Sequence, residues 1–322
     1  MSRIAILWMI LLAALGSIPA TGAEPRIRMV KIDNGIKLET LDWGGGGRDV
    51  VLLAGLGNTA HIFEAFAPRL AEDCHVYGLT RRGYGASTHT LGGYTQARLA
   101  QDIIAVCDSL GLDAPVLIGH SLAGAEMAHA ARLRPRGFSG FVFLDAAYDA
   151  SMVADYADLA PPPVQPQLRT EELMSAAGVT EFLQRTRGFT APAGEIAALY
   201  VFAADGRLKD VNHSKLAQGL IMDAMTPPPF ERLDAPVLAI FAKPTLESLY
   251  PAHGEFSPEA QRTARARVRL LRQLMSAQLA TLEATCPGAW THVWDGASHH
   301  LFLTEPTRVL TAVRALLAAL PD

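Results

Sequence analysis

The sequence predicts an α/β protein, with a mostly parallel central sheet covered by helices on both faces and one mainly helical insertion between two core strands. Three observations predict it. Short apolar runs alternate with amphipathic stretches along most of the chain. Several of those runs, such as Val50 to Ala54 and Phe141 to Leu144, are apolar without interruption, as strands buried on both faces are. The alternation then breaks for about 85 residues, 149–233, between two such runs. Strand, helix, strand, helix calls for right-handed crossovers and hence parallel pairing.

The elements follow in order. Met29 to Ile32 and Lys37 to Asp42, joined by Asp33-Asn34-Gly35, read as a hairpin. Val50 to Ala54 is a buried strand ending in Gly55-Leu56-Gly57, and the glycine run Gly44 to Gly47 before it is a loop. Helical spacing covers His61 to Leu70, and His75 to Leu79 is the next strand. From Gln96 to Leu110, Leu99, Ile103, Val106 and Leu110 share a helix face that Gly111 terminates. Val116 to Ile118 is a strand, Ala123 to Leu133 a helix and Phe141 to Leu144 a strand. Within the insertion, proline clusters at 161–163 and 227–229 mark where the chain leaves and re-enters the core, because proline continues neither a ladder nor a helix interior. Val237 to Phe241 resumes the sheet. Pro258 to Thr285 is a long helix whose arginines (Arg262, Arg265, Arg267, Arg269 and Arg272) read as a solvated face. Trp290 to Trp294 and Val309 to Leu320 supply the last strand and a closing helix.

The chain has 322 residues, of which half are apolar and 19% charged, a composition that suits a well-buried core. Its net charge of −4 gives no reason to expect nucleic acid as a partner. Residues 1–23 read as a secretory signal peptide: Arg3, a short apolar run from Ile4 to Leu15, and small residues ending Ala-Thr-Gly-Ala. That run is too short for the roughly 20 residues of a membrane span. The expectation is an exported protein, periplasmic or secreted, that starts near Glu24. Cys74, Cys107 and Cys286 fall in no metal-ligand spacing and read as buried apolar residues, with at most one intramolecular disulfide as the alternative.

The chemistry concentrates at Gly119-His120-Ser121-Leu122-Ala123-Gly124, between a buried strand and a helix. A strand-to-helix turn this tight holds its serine in a strained conformation and tolerates only small residues two positions either side. Gly119 and Ala123 meet that need. His120 and His129, beside and beyond the elbow, read as packing or surface residues. Together with Leu52 to Gly57, Arg81 to Ser87 and Gly296 to Leu303, the elbow resembles the α/β-hydrolase superfamily over nearly all of residues 24–322. Two departures stand out: Ala54 replaces the usual histidine after the first of these strands, and Ala123 replaces the elbow's last glycine.

The resemblance implies an α/β-hydrolase fold with 24–148 and 234–322 as core and 149–233 as helical lid. It implies Ser121 as nucleophile, and His299, in register with Leu301-Phe302-Leu303, as base in preference to its neighbour His300. The backbone N–H groups of Leu56 and Leu122 would form the oxyanion hole. No carboxylate stands at the acid's usual place after Val237 to Phe241. Asp145, at the end of the preceding core strand and about two dozen residues past Ser121, matches the position some relatives use, with Glu247 in reserve. The expected function is a serine hydrolase, a carboxylesterase for a small or medium apolar ester, needing no cofactor or metal. Met152, Tyr156, Phe182, Phe189, Tyr200, Phe202, Met222 and Met225 give the insertion an apolar character that suits such a substrate. The alternatives are another Ser-His hydrolase acting on an amide, lactone or carbon–carbon bond, and a binding protein on the same scaffold.

Overall fold

The computed structural model describes residues 24–33, 35–149, 151 and 161–321. The expected signal peptide, and Met152 and Tyr156, lie outside the described residues. Strands β1 (Arg26–Asp33) and β2 (Ile36–Gly44) form the predicted hairpin. Next come β3 (Asp49–Leu53), helix α1 (Ala67–Leu70), β4 (His75–Leu79), α2 (Gln96–Leu110), β5 (Val116–His120), α3 (Ala123–Leu133) and β6 (Gly140–Leu144). Between β6 and the next core strand lie α4 (Ala176–Arg187), α5 (Ala193–Leu199), the strands β7 (Tyr200–Phe202) and β8 (Leu208–Val211), and α6 (Lys215–Asp223). The core resumes with β9 (Val237–Lys243), α7 (Leu246–Leu249), α8 (Pro258–Thr285), β10 (Trp290–Asp295), α9 (Leu301–Thr304) and α10 (Pro306–Ala319).

Among the described residues the sheet has eight strands, in the order β1-β2-β4-β3-β5-β6-β9-β10. Only the pairings β1–β2 and β2–β4 are antiparallel; the rest are parallel. The apolar runs are continuous because alternate residues feed two cores. Val50, Leu52, Ile118, Val142 and Ile240 meet Phe63, Phe66, Phe302 and Val313 on one face. Val51, Leu53, Leu117, Phe143 and Phe241 meet α2, α3 and α8 on the other through Ile103, Met127 and Met275. Fully burying each such Phe or Leu side chain contributes about 1.5–3 kcal/mol.

Local chemistry sets the boundaries. Thr95 caps α2 by accepting from the Arg98 N–H, and Gly111 ends the helix in the left-handed conformation, at φ +70°. Ser257 caps α8, with Pro258 in its first turn. On α8, Arg262, Arg265 and Arg269 are exposed as expected, while Arg272 donates to the Pro244 carbonyl and pairs with Asp295.

One expectation needs correction. The single helix over His61 to Leu70 is instead a 3-10 turn, Ala60–Phe63, followed by the short α1. Pro68, in the first turn of α1, has no N–H to continue a longer ladder. The insertion is mainly helical, as expected, and adds the antiparallel ribbon of β7 and β8. All three cysteines are buried and unbridged. Burial pushes the Cys74 thiol up to about 11 and the Cys107 thiol up to about 12, so both behave as small apolar groups.

Candidate active site

Ser121 sits where β5 turns into α3, with φ at +54°. A non-glycine residue in that region is strained, and the surroundings hold it there. Its neighbours must be small, because space is missing on every side. A Cβ on Gly119 would fall 2.7 Å from Met127 Sδ and 3.2 Å from Ala123 Cβ. On Gly124 it would fall 1.9 Å from the Ala146 carbonyl oxygen, so α3 can pass the end of β6 only with glycine there. On Gly55, in the loop after β3, it would fall 3.0 Å from Ser121 Cβ.

At the end of β6, Asp145 is likewise in the left-handed region, at φ +48°. It is 6% exposed, and each carboxylate oxygen has a partner. Oδ2 lies 2.5 Å from His299 Nδ1. Oδ1 accepts from Tyr148 Oη at 2.5 Å and from the Ala242 N–H at 2.9 Å. A carboxylate on Nδ1 fixes the imidazole tautomer with the proton there, which leaves the Nε2 lone pair for another group. Burial and the Asp145 charge together push the Tyr148 hydroxyl well above its ordinary range, keeping it a donor.

Glu247 does not join this group. It lies in the first turn of α7, exposed. The strand β9 still serves the acid, but with backbone: Ala242, near the strand's end, provides an amide to the aspartate of the neighbouring strand. The reserve assignment is therefore corrected, and Asp145 is the carboxylate the fold brings to His299.

His300 is equally distinct from His299. Its ring packs 4.2 Å from that of Phe189, and burial holds its pKa well below the ordinary value. It is a half-buried residue held in the neutral form. The His120 ring is buried, and its Nε2 lies 2.9 Å from the His299 carbonyl oxygen. The carbonyl can only accept, so Nε2–H donates and pins the backbone of the loop that carries His299. Burial, with His299 and His300 adjoining, lowers the His120 pKa well below normal, in keeping with that neutral form. His129 lies apart, against Gln96 and Thr226.

Ser121, Asp145 and His299 open onto one cavity of about 400 Å³. Leu56 and Leu122, whose amides were the expected oxyanion donors, line it too. Its wall is mainly apolar: Met222 and Met225 come from the insertion, and Leu271, Leu274 and Met275 from α8. Phe189 and Phe202, by contrast, pack into the core beneath the insertion. Among the described residues no lysine or arginine lines the cavity, and Asp149 adds a second carboxylate beside Asp145. The residues 150–160 contain no basic residue either. No cluster of three or more metal-ligating side chains occurs among the described residues.

This elbow, its neighbouring acid and histidine, and the sheet order define a member of the hydrolase class of α/β proteins. The chain belongs to the Alpha/beta hydrolase family, whose model matches residues 50–312. Among curated proteins it is 33% identical over 114 residues to the N-formylmaleamate deformylase of Pseudomonas putida, covering 35% of this chain and 42% of the deformylase. It is 32% identical over 94 residues to a 2-heptyl-3-hydroxy-4-quinolone dioxygenase of Rhodococcus erythropolis, covering 28% of this chain and 35% of that protein. The chain thus spans less than half the length of these relatives. Among solved structures, an E-2-(acetamidomethylene)succinate hydrolase matches with a TM-score of 0.67 at 20% identity, over 91% of this chain and 99% of its own. At that identity the likeness is one of fold.

The sequence did not point to Tyr148, to the Ala242 amide or to the bond from His120. Tyr148 carried a usable signal, standing three residues past Asp145. The other two bonds join residues 97 and 179 positions apart and have no local signature.

Proposed function

We propose that the protein is a serine hydrolase, a carboxylesterase for small or medium uncharged apolar esters, working through Ser121, His299 and Asp145. The observation that carries the reading is the Asp145–His299 contact beside a strained Ser121, all three facing one apolar cavity. In this mechanism His299 Nε2 takes the Ser121 hydroxyl proton as Oγ attacks the ester carbonyl. The Leu56 and Leu122 amides hold the resulting oxyanion. Asp145 stabilises the imidazolium, which then protonates the leaving alcohol. Water, deprotonated by the same nitrogen, attacks the acyl-enzyme and releases the acid, restoring Ser121. The insertion acts as a lid, supplying Met222 and Met225 to the substrate cavity.

Hydrolysis of p-nitrophenyl esters of increasing chain length tests the reading. Wild type should turn over short and medium esters, and Ser121→Ala and His299→Ala should each lose at least about 10³-fold in kcat with the fold intact. Failure of folded wild type to cleave any of them, or to react with a fluorophosphonate, would overturn it. Export belongs to the same proposal and rests on residues 1–23; N-terminal sequencing of the purified protein should begin near Glu24.

A further inference from the structure

The loop after β3 supplies Leu56, and against it lies a buried ion pair, Arg81–Glu126, to which the proposed mechanism gives no part. Arg81, just beyond β4, is 7% exposed, and Glu126, on α3, 3%. The guanidinium donates from Nε to Glu126 Oε1 at 2.6 Å and from Nη2 to Oε2 at 2.9 Å, a two-pronged pair. The same group reaches the loop: Nη2 donates to the Ala54 carbonyl at 2.8 Å and Nη1 to the Gly55 carbonyl at 3.3 Å. The Asn58 N–H donates to that Gly55 carbonyl as well, at 3.3 Å.

The Gly55 carbonyl and the Leu56 N–H belong to one peptide unit. In a planar trans peptide the C=O and N–H point in opposite directions, so holding the oxygen aims the hydrogen. Arg81 lies on the buried side of the loop, and Leu56 lines the cavity beside Ser121. Glu126, the other end of the pair, sits one helical turn beyond Leu122 on the helix that Ser121 introduces. A single guanidinium therefore ties together the two backbone segments whose amides the mechanism needs.

We infer that Arg81, anchored by Glu126, is the positioning residue of the oxyanion hole: it grips the Ala54 and Gly55 carbonyls and thereby directs the Leu56 N–H at the site of the developing oxyanion. The inference rests on the serine-hydrolase reading. It also accounts for Ala54, since the loop is held from beneath through backbone carbonyls and not through a side chain at that position.

The first variant is Arg81→Lys, which keeps a cation beside Glu126 but cannot span a carboxylate and two carbonyls, because it lacks the planar fork. The second combines Arg81→Met with Glu126→Leu, removing both buried charges so that neither is left unpaired. Each is measured for kcat and KM on p-nitrophenyl butyrate, for the inhibition constant of an alkyl trifluoromethyl ketone, and for Tm, with active sites counted by fluorophosphonate labelling. Both variants should lose about 10- to 100-fold in kcat per labelled site, short of the roughly 10²–10³ for complete loss of one donor. KM should stay within about threefold, and the ketone, which forms an oxyanion on Ser121, should weaken by the same factor as kcat. Unchanged kcat, or a kcat loss without weaker ketone binding, would overturn the inference. So would restoration of wild-type kcat in the double variant, since charge balance alone would then explain the pair. Wild type that neither labels nor turns over would remove the parent reading itself, an outcome distinct from all of these.

Discussion

At the scale of single residues, the site depends on which carboxylate reaches His299. Two candidates differ by about a hundred positions in sequence, and their burial separates them: Asp145 is enclosed with three partners, Glu247 is in solvent. Asp145→Asn should therefore lower kcat by about 10³- to 10⁴-fold, because the amide favours the wrong tautomer of His299. Glu247→Gln should leave kcat within twofold. The comparison is a pair of steady-state measurements on one ester, and equal losses in the two variants would refute the assignment. The left-handed conformations of Ser121 and Asp145 belong to this scale too. Both lie at the carboxyl end of a parallel strand, where the chain must turn sharply while its side chain stays over the sheet edge.

At the scale of elements, the insertion is joined to the core through a buried polar group under the loop after β3. Glu195, on α5, accepts from Asn58 Nδ2 and from the Thr59 hydroxyl and N–H. Nearby, His61 lies between Glu39 and Glu64, and Glu64 in turn accepts from the Gly194 N–H. Burial opposes the charge on His61, but hydrogen bonds to Glu39 and Glu64 more than offset it and push its pKa up to about 9. Burial pushes Glu195 up to about 7, against the opposing hydrogen bonds from Thr59 and Asn58. Both groups hold protons more tightly folded than unfolded. The stability from His61 is complete below about pH 6.5 and is lost as pH rises through about 9; that from Glu195 is lost between about 4.5 and 7. Tm should accordingly fall from about pH 7 to about pH 9, above the range in which the lowered pKa values of His120 and His300 make stability rise with pH. In His61→Gln the fall should flatten; a wild-type Tm that rises over this range would contradict the account.

For the whole molecule, the cavity lies between the sheet's carboxyl edge, α8 and the insertion, and its charge bears on the proposed substrate. Two carboxylates and no cation among the described lining residues leave a carboxylate-bearing substrate without a partner. Burying an unpaired charge costs several kcal/mol. The p-nitrophenyl half-ester of succinate should be hydrolysed at least about 100-fold less efficiently, by kcat/KM, than p-nitrophenyl pentanoate at pH 7.5. Comparable efficiencies would show that a cation reaches the bound acyl group.

How much was legible from the sequence follows from the range over which each signal acts. The elbow, the strand and helix boundaries around it, and the capped α2 and α8 are local, since propensity, periodicity and small-residue requirements are written in neighbouring positions. Hence the sequence marks Gln96–Leu110, Ala123–Leu133 and Pro258–Thr285 to the residue. The spacing over His61 to Leu70 predicts one helix because its periodic pattern outweighs the single proline that breaks it. The sequence by itself determined the fold class, the family and the tight turn between β5 and α3 that strains Ser121. Only the tertiary structure decided that Asp145 and not Glu247 meets His299, and that Tyr148 and Ala242 secure it. It also decided that Arg81 and Glu126 grip the loop of Leu56. These choices depend on the order in which β6 and β9 lie side by side and on which charges that packing buries, and long-range burial leaves no mark in any short stretch of chain.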